Sequence, residues 1–391
     1  MGLPIDYAVR NLARSPARLL LSLVGTTLVV LLVLAAGGYV RGMDRSLAAA
    51  AAAPAGHANV IFLAAGSEES TERSEIGPAV PSLVAAGVPG VRSRLGVPYV
   101  SPEVHHQVTV RRAPDDPSTS QVLARGVTPA AWLVHAGARI VEGRAPEPGR
   151  DEVVLGRLAR HRLGGPAAPG VGGKLWFDDR YWSVVGIFES PGALTESELW
   201  CPLGDLQIAA RRDTLSCVVA TFDAAAGFDD ADAFARQRLD LELVAIRETD
   251  YYRRLAAFFA PVRVVVWLTA VLIATGGLLG GLNTMYAAFA SRVREIGALQ
   301  AMGFGRRMIV TSLVQESLLA AAAGTLVALV LGLCLLDGLT VQFSLGAFGL
   351  ALDPTVVLLG IAAGLGVGLV GALPPAVRCL RLPIAEALKS A

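Results

Sequence analysis

Glu103, His105 and His106 form the group in this sequence that most resembles a metal-ligand cluster, and their spacing tests the idea directly. Side chains at adjacent strand positions point to opposite faces, so His105 and His106 cannot turn to one ion, and no second cluster stands at ligand spacing. A solvated loop is the expectation for this stretch. An ATPase phosphate loop requires G-x-x-x-x-G-K-[ST], whereas Gly172-Gly173-Lys174 lacks the first glycine and runs into Leu175. Ser190, Ser197 and the dispersed histidines make no nucleophile elbow. Cys201 and Cys217 would form a disulfide in an oxidising compartment if their Cα atoms came within about 7 Å, which the sequence leaves open. Cys334 and Cys379 read as small apolar side chains. The expectation is a protein that is not an enzyme, with no catalytic, metal-binding or cofactor-binding residues of its own.

The elements that carry any other function are set by hydropathy. Of the 391 residues, 53% are hydrophobic and only 17% charged, and the mean hydropathy of +0.53 lies above that of an ordinary soluble domain. A net charge of +1 offers no basic face to a nucleic acid. A helix needs about 20 apolar residues to cross a bilayer. Residues 19–40, 264–289, 308–336 and 355–373 meet that length. The first run is longer than a signal-peptide core and lacks an A-x-A cleavage site, so it reads as an uncleaved anchor.

Basic residues in short connections give the orientation. Arg10, Arg14 and Arg18 precede the first run, Arg292, Arg294, Arg306 and Arg307 lie in the connection 291–307, and Arg378, Arg381 and Lys389 lie in the tail 374–391. All three belong on the cytoplasmic side. The loop 337–354 has no Lys or Arg but contains Asp337 and Asp353, as an outer loop should. Arg253, Arg254 and Arg263 run against the rule, from which a long translocated domain is largely exempt. The predicted fold class is a membrane protein with four transmembrane α-helices and a large α+β extracytoplasmic domain, residues 41–260, inserted between helices 1 and 2. Within it, 59–63, 152–155, 181–188 and 216–222 read as strands, and 157–162 and 228–239 as helices. From Asp229 through Tyr251, Tyr252, Arg253 and Arg254 a charged helical stalk is expected to lead into the second span. Residues 1–18 read as an interfacial helix.

Glu316 and Asn283 are polar residues inside spans. Glu316 lies nine positions from Arg307, roughly 13 Å along a helix, and Asn283 is equally far from Arg292. A lone charge at that depth costs at least about 2.5 kcal/mol, so a hydrogen bond between Glu316 and Asn283 is expected, as structural glue rather than proton coupling. Gly360, Gly364 and Gly368, with Gly277 and Gly281, predict close helix packing, either within one chain or between two.

The inner connection runs Ser291-Arg-Val-Arg-Glu-Ile-Gly-Ala-Leu-Gln-Ala-Met-Gly-Phe-Gly-Arg-Arg307. Ile296, Leu299 and Met302 against Arg292 and Glu295 predict a short amphipathic helix ended by Gly303 and Gly305. Physical reasoning alone leaves a docking role and a merely topological role equal. The run Arg294-Glu295-Ile296-Gly297-Ala298-Leu299, with Ala301, Gly303 and Gln315-Glu316-Ser317, resembles the signature of FtsX/MacB-type ABC permeases, a family that includes the lipoprotein-releasing LolC and LolE. The segments 140–144, 152–156 and 181–187 resemble that family's periplasmic core domain, and 375–388 its C-terminal tail.

The resemblance implies a bacterial inner-membrane permease with both termini cytoplasmic. Two permease chains, identical or different, would pair in the lipid membrane, and each would dock an ABC ATPase through this inner helix, with Arg292, Arg294, Glu295, Ile296, Gly297, Leu299 and Gly303 as the docking residues. ATP and magnesium would be bound by that ATPase. Only Met1–Arg18 precedes the first span, so the ATPase is expected as a separate chain, and a periplasmic adaptor would be a further partner. The implied function is to transmit ATP-driven motion to the outer domain for export or extraction. The rival reading is an FtsX-like regulator of a cell-wall hydrolase or sensor, and a membrane-anchored enzyme is the weaker third.

Overall fold

The computed structural model describes residues 16–50, 58–164, 168–223, 227–337, 339–343 and 346–380. Residues 1–15 of the expected interfacial helix and the tail beyond Leu380, including the last part of the 375–388 resemblance, lie outside them. The chain divides into two compact units, one of residues 43–260 with 340–349, the other of residues 1–42, 261–339 and 350–391. Helix α1, Pro16–Ala50, runs well past the predicted end of the first span, since the segment from Gly42 to Ala50 holds no proline and ends in alanines, the best helix formers.

The inserted domain is α+β, as the pattern of strand-like and helix-like stretches predicted. Its elements in order are β1 (Ala58–Ala64), α2 (Val80–Gly87), β2 (Ser93–Arg94), β3 (Val97–Pro98), β4 (Val100–Val110), β5 (Ser120–Val127), α3 (Ala131–Val134), β6 (Arg139–Gly143), β7 (Glu152–Gly156), α4 (Arg157–Arg162), β8 (Lys174–Phe177), β9 (Arg180–Glu189), β10 (Leu199–Pro202), α5 (Leu203–Ala210), β11 (Cys217–Phe222), α6 (Gly227–Gln237), β12 (Leu243–Arg247) and α7 (Glu248–Phe258). The strands form one ten-stranded sheet in the order β12-β1-β11-β4-β5-β10-β7-β9-β6, with β8 on β9. Most neighbours are antiparallel, but β10 runs parallel to β5 and β7 parallel to β9.

The long strand β4 joins the two halves of the sheet, pairing with β11 through Val100–Glu103 and with β5 through Val104–Val110. Its alternation sorts residues between two buried faces. Val100, Val104, Val108 and Val110 enter the apolar core with Val60, Phe62, Val122, Val218 and Phe222. Ser101, Glu103 and His105 turn the other way and are buried as well. The expected stalk is interrupted: α6 ends at Gln237, β12 returns to the sheet beside β1, and only α7 resumes the helix. Val244, Ala245 and Ile246 supply the β-branched and small apolar run that makes a strand there.

The membrane unit consists of α1 with α8 (Ala260–Ala290), α9 (Val293–Ala301), α10 (Arg306–Leu335) and α11 (Pro354–Leu380). Among the described residues, four helices are long and apolar enough to cross a bilayer. Helix α11 continues through Pro374 and Pro375, where the sequence predicted an end at 373; proline's fixed φ is compatible with a helix at the cost of a donor. The loop 339–349 carries a hairpin, β13 (Thr340–Phe343) with β14 (Gly346–Gly349).

The glycine face of α11 packs within the chain. A Cβ on Gly360 would meet Leu34 of α1 at 2.9 Å, and one on Gly368 would meet Ala321 of α10 at 2.6 Å. Ser317 Oγ donates to the Gly368 carbonyl at 2.8 Å and Thr27 Oγ1 to that of Gly324 at 3.0 Å, so small residues bring the backbones close enough for side chains to bond them. Gly277 approaches Val29 of α1, whereas Gly281 has open space around it.

Candidate functional site

The connection between α8 and α10 folds as predicted into a short amphipathic helix, α9. Val293, Ile296 and Gly297 are buried, and Val293 and Ile296 pack with Met285, Phe289, Ile309, Leu313, Ala376 and Leu380, with Leu299 at the edge of the cluster. Arg294, Glu295, Ala301 and Met302 are exposed. The helix ends in a Schellman motif: Gly303 N donates to Gln300 O at 3.0 Å and Phe304 N to Leu299 O at 3.1 Å. Gly303 takes φ +90°, a conformation that a Cβ would strain. The apolar face thus fixes α9 on the bundle and leaves a polar edge free.

Arg292 at the start of α9 bonds Glu295 at 3.0 Å and reaches Glu316 of α10 at 3.1 Å. The predicted Glu316–Asn283 bond is not formed, and Asn283 is exposed on α8. Counting depth from Arg307 pairs Glu316 with Asn283, whereas the fold brings Glu316 to Arg292, two residues past the end of α8. The ten residues from Arg306 to Glu316 rise roughly 15 Å, and that length lies alongside α9 through Ile309 and Leu313.

The inserted domain holds a second polar assembly, buried on the inner face of the sheet. Arg125 of β5 donates from Nε and Nη2 to both oxygens of Glu198 at 2.7 Å each, and from Nη1 to Glu103 at 2.6 Å. His135 Nε2 lies 2.7 Å from the other oxygen of Glu103. Trp200 Nε1 donates to Glu198 at 2.8 Å. Glu248, the first residue of α7, accepts from Asn59 Nδ2 at 2.8 Å, and Asn59 Oδ1 accepts from Thr221 at 2.7 Å. Burial alone would raise the Glu103 pKa, but His135 and Arg125 hold it well below the carboxylate range. Burial opposes charge on His135, yet Glu103 raises its pKa. His105 is pushed down by burial and by Arg125, and Glu248 up by burial.

Glu103 and His105 therefore do not lie in a solvated loop. They share one face of β4, and that face is covered. His106 turns to the other side, 3.3 Å from Asp178. Glu103, His105 and Cys217 bring donor atoms within 4.8 Å of one another. A metal does not suit them: the Arg125 guanidinium already occupies Glu103, and burial pushes the Cys217 thiol well up, so that proton stays on. Cys201 and Cys217 are free thiols rather than a disulfide. Their strands are separated in the sheet by β5 and β4, which at the usual strand spacing puts them roughly 14 Å apart. Arg125, His135, Glu198 and Glu248 were not legible as a group; the one hint was the alternation of Glu103 and His105, and of Glu198 and Trp200.

Four apolar helices among the described residues, with an α+β domain inserted in sequence after the first, define a multi-pass membrane protein. Residues 19–237, more than half of the chain, match the MacB-like periplasmic core domain, and residues 267–384 match the FtsX-like permease C-terminal family. The chain belongs to the FtsX/MacB-type permeases of ABC transporters, membrane components that are not themselves ATPases and whose members work with an ATPase partner. Among solved structures, it is similar to the extracellular domain of the noncanonic ABC-type transporter YknZ from Gram-positive bacteria, at 14% identity and TM-score 0.37, over 49% of this chain and 98% of that one. It is also similar to the periplasmic region of MacB from Actinobacillus actinomycetemcomitans, at 11% identity and TM-score 0.40, over 51% of this chain and 93% of that one. No curated protein matches the sequence.

Proposed function

We propose that this chain is a mechanotransmitting permease that couples a separate ABC ATPase to its inserted domain, which works outside the cytoplasm to export or extract a substrate. The observation that carries the reading is α9: Val293 and Ile296 anchor it to α10 and α11, while Arg294 and Glu295 stand exposed to solvent. A docked subunit gripping that edge moves the helix, and the buried apolar face passes the displacement to the two spans. Nucleotide and magnesium belong to the ATPase. The basic residues at the two termini and around α9 support an inner membrane with both termini cytoplasmic.

A second permease chain, identical or different, completes the assembly. Helix α8 supports this, with 6% of its most apolar stretch buried against 33% for each of the other three spans. A periplasmic adaptor would contact the inserted domain. The test is charge reversal of Arg294 and Glu295 together, followed by copurification with the cognate ATPase and measurement of its hydrolysis rate. Loss of binding or of stimulation, with the fold intact, is the expected result; a fully bound and stimulated ATPase removes the reading.

A further inference from the structure

A cavity of about 200 Å³ opens in the inserted domain where the end of β4 meets the start of β5, the end of α4 and β8, and its wall includes Arg111, Arg112, Arg162, Ser118 and Ser120. Three arginines lining one small space concentrate positive charge there unless something negative joins them. Elsewhere in the domain such groups are matched: Arg125, Arg139, Arg144, Arg157 and Arg180 each pair with a carboxylate within 3.2 Å. Arg162 has no such pairing among the described residues. Its Nε is buried without a hydrogen-bond partner, and burial pushes its pKa down with no acidic group to offset it.

The other groups at the cavity leave donors over. Arg111 gives Nη1 to the Pro114 carbonyl at 3.0 Å, which leaves the rest of its fork. The nearby carboxylate Asp116 feels the charge of Arg112, but accepts from Ser118 Oγ at 2.5 Å and Ser118 N at 2.9 Å. The residues that line the cavity include three arginines and no carboxylate, which leaves it positive. A guanidinium presents parallel N–H groups that match the oxygens of a phosphate, and several around one volume suit a multiply charged oxyanion better than a carboxylate.

We propose that this cavity is an oxyanion site that takes a phosphate group, with Arg162 as the inner ligand and Arg111 and Arg112 as the outer ones. The group arrives either as free phosphate or on an organic phosphomonoester such as a lipid headgroup fragment. The site is independent of α9 and of ATPase docking, so its test is separate from theirs.

The experiment titrates the purified full chain in detergent with sodium phosphate and, separately, with glycerol 3-phosphate at constant ionic strength, following heat by calorimetry and the thermal midpoint in parallel. Saturable binding with a rise in midpoint is expected for the wild type. Arg162→Gln should weaken it by about tenfold or more, and the exposed Arg112→Gln by a smaller factor. A glycerol phosphate affinity well above that of inorganic phosphate supports an organic phosphate as the natural occupant, and equal affinities support the free ion. Absence of saturation with both ligands, or an unchanged affinity in Arg162→Gln, overturns the proposal. If Arg162→Gln does not fold, the double variant Arg111→Gln/Arg112→Gln replaces it, with the same losses expected and the same unchanged affinity overturning the site.

Discussion

Arg292 and Glu316, 24 positions apart in sequence, meet at 3.1 Å and join the start of α9 to the third turn of α10. Both side chains are largely withdrawn from solvent, at 15% and 6% exposure, so the contact is stronger than a surface pair of the same geometry. It makes the inner helix and the span one mechanical piece. A double-mutant cycle of Arg292→Met and Glu316→Leu, read by unfolding in detergent, should give a coupling energy of about 1–3 kcal/mol. Additive effects would contradict the joint.

The two faces of α9 should separate under mutation. Ile296→Ala empties a buried position and should cost about 2–4 kcal/mol, lowering the thermal midpoint of the isolated chain. Arg294→Glu touches no packed neighbour in the cluster and should leave that midpoint unchanged within error, while ATPase stimulation falls. A midpoint that drops equally in both would mean that α9 has no free edge.

The buried charges of the inserted domain form an interdependent set. Arg125→Met leaves Glu103 and Glu198 without their shared cation and should destabilise the domain by about 3–5 kcal/mol. Replacing Glu103 and Glu198 by leucine in the same chain should recover most of that loss, because an apolar core of similar volume needs no counter-charge. Denaturant unfolding followed by tryptophan emission measures both, Trp200 being hydrogen-bonded to Glu198.

His135 sets an alkaline edge. Its folded pKa lies above the ordinary value of about 6.5, since the stabilisation by Glu103 exceeds the cost of burial. The stabilisation is complete below that ordinary value and fades as pH rises through the raised one. The thermal midpoint of the wild type should therefore exceed that of His135→Gln most at about pH 6, and the gap should narrow toward pH 9. Glu103 works in the opposite sense: its depressed pKa stabilises the fold above the ordinary value near 4.5 and that contribution is lost in acid. A gap that widens with rising pH would refute the role of His135.

Glycines facing helices and glycines facing open space should respond differently. Gly368→Val forces a side chain against Ala321 and should cost about 1–3 kcal/mol in the isolated chain. Gly281→Ala meets nothing within 4 Å and should stabilise α8 by up to about 1 kcal/mol. Crosslinking yield between two permease chains then reports whether the α8 face is covered: unchanged crosslinking in Gly281→Leu places the second chain elsewhere.

Much of the architecture follows from local patterns. The four spans come from runs of apolar residues longer than the bilayer is thick, and β1, β7, β9 and β11 from β-branched runs between turn residues. The end of α9 comes from Gly303, whose φ suits a Schellman stop. The strand β4 did not stand out, because one of its faces is apolar and the other polar while both are buried, so its alternation resembled that of a half-exposed loop. The strand β12 was absorbed into a helical reading by the charges on either side of it. The parts of the candidate docking edge, Arg294, Glu295 and Ile296, were visible as a local motif.

What the sequence alone determined was topology and element type, since hydropathy, turn chemistry and helix caps act over a few neighbouring residues. Tertiary structure alone decided which charge meets which. Arg125 finds Glu198 across 73 positions, Asn59 finds Glu248 across 189, and Glu316 takes Arg292 in place of Asn283. Such pairings depend on strand order and on the offset between helix ends, and these are fixed only when the whole chain has buried its apolar surface; the same dependence keeps Cys201 and Cys217 apart, with two strands between theirs.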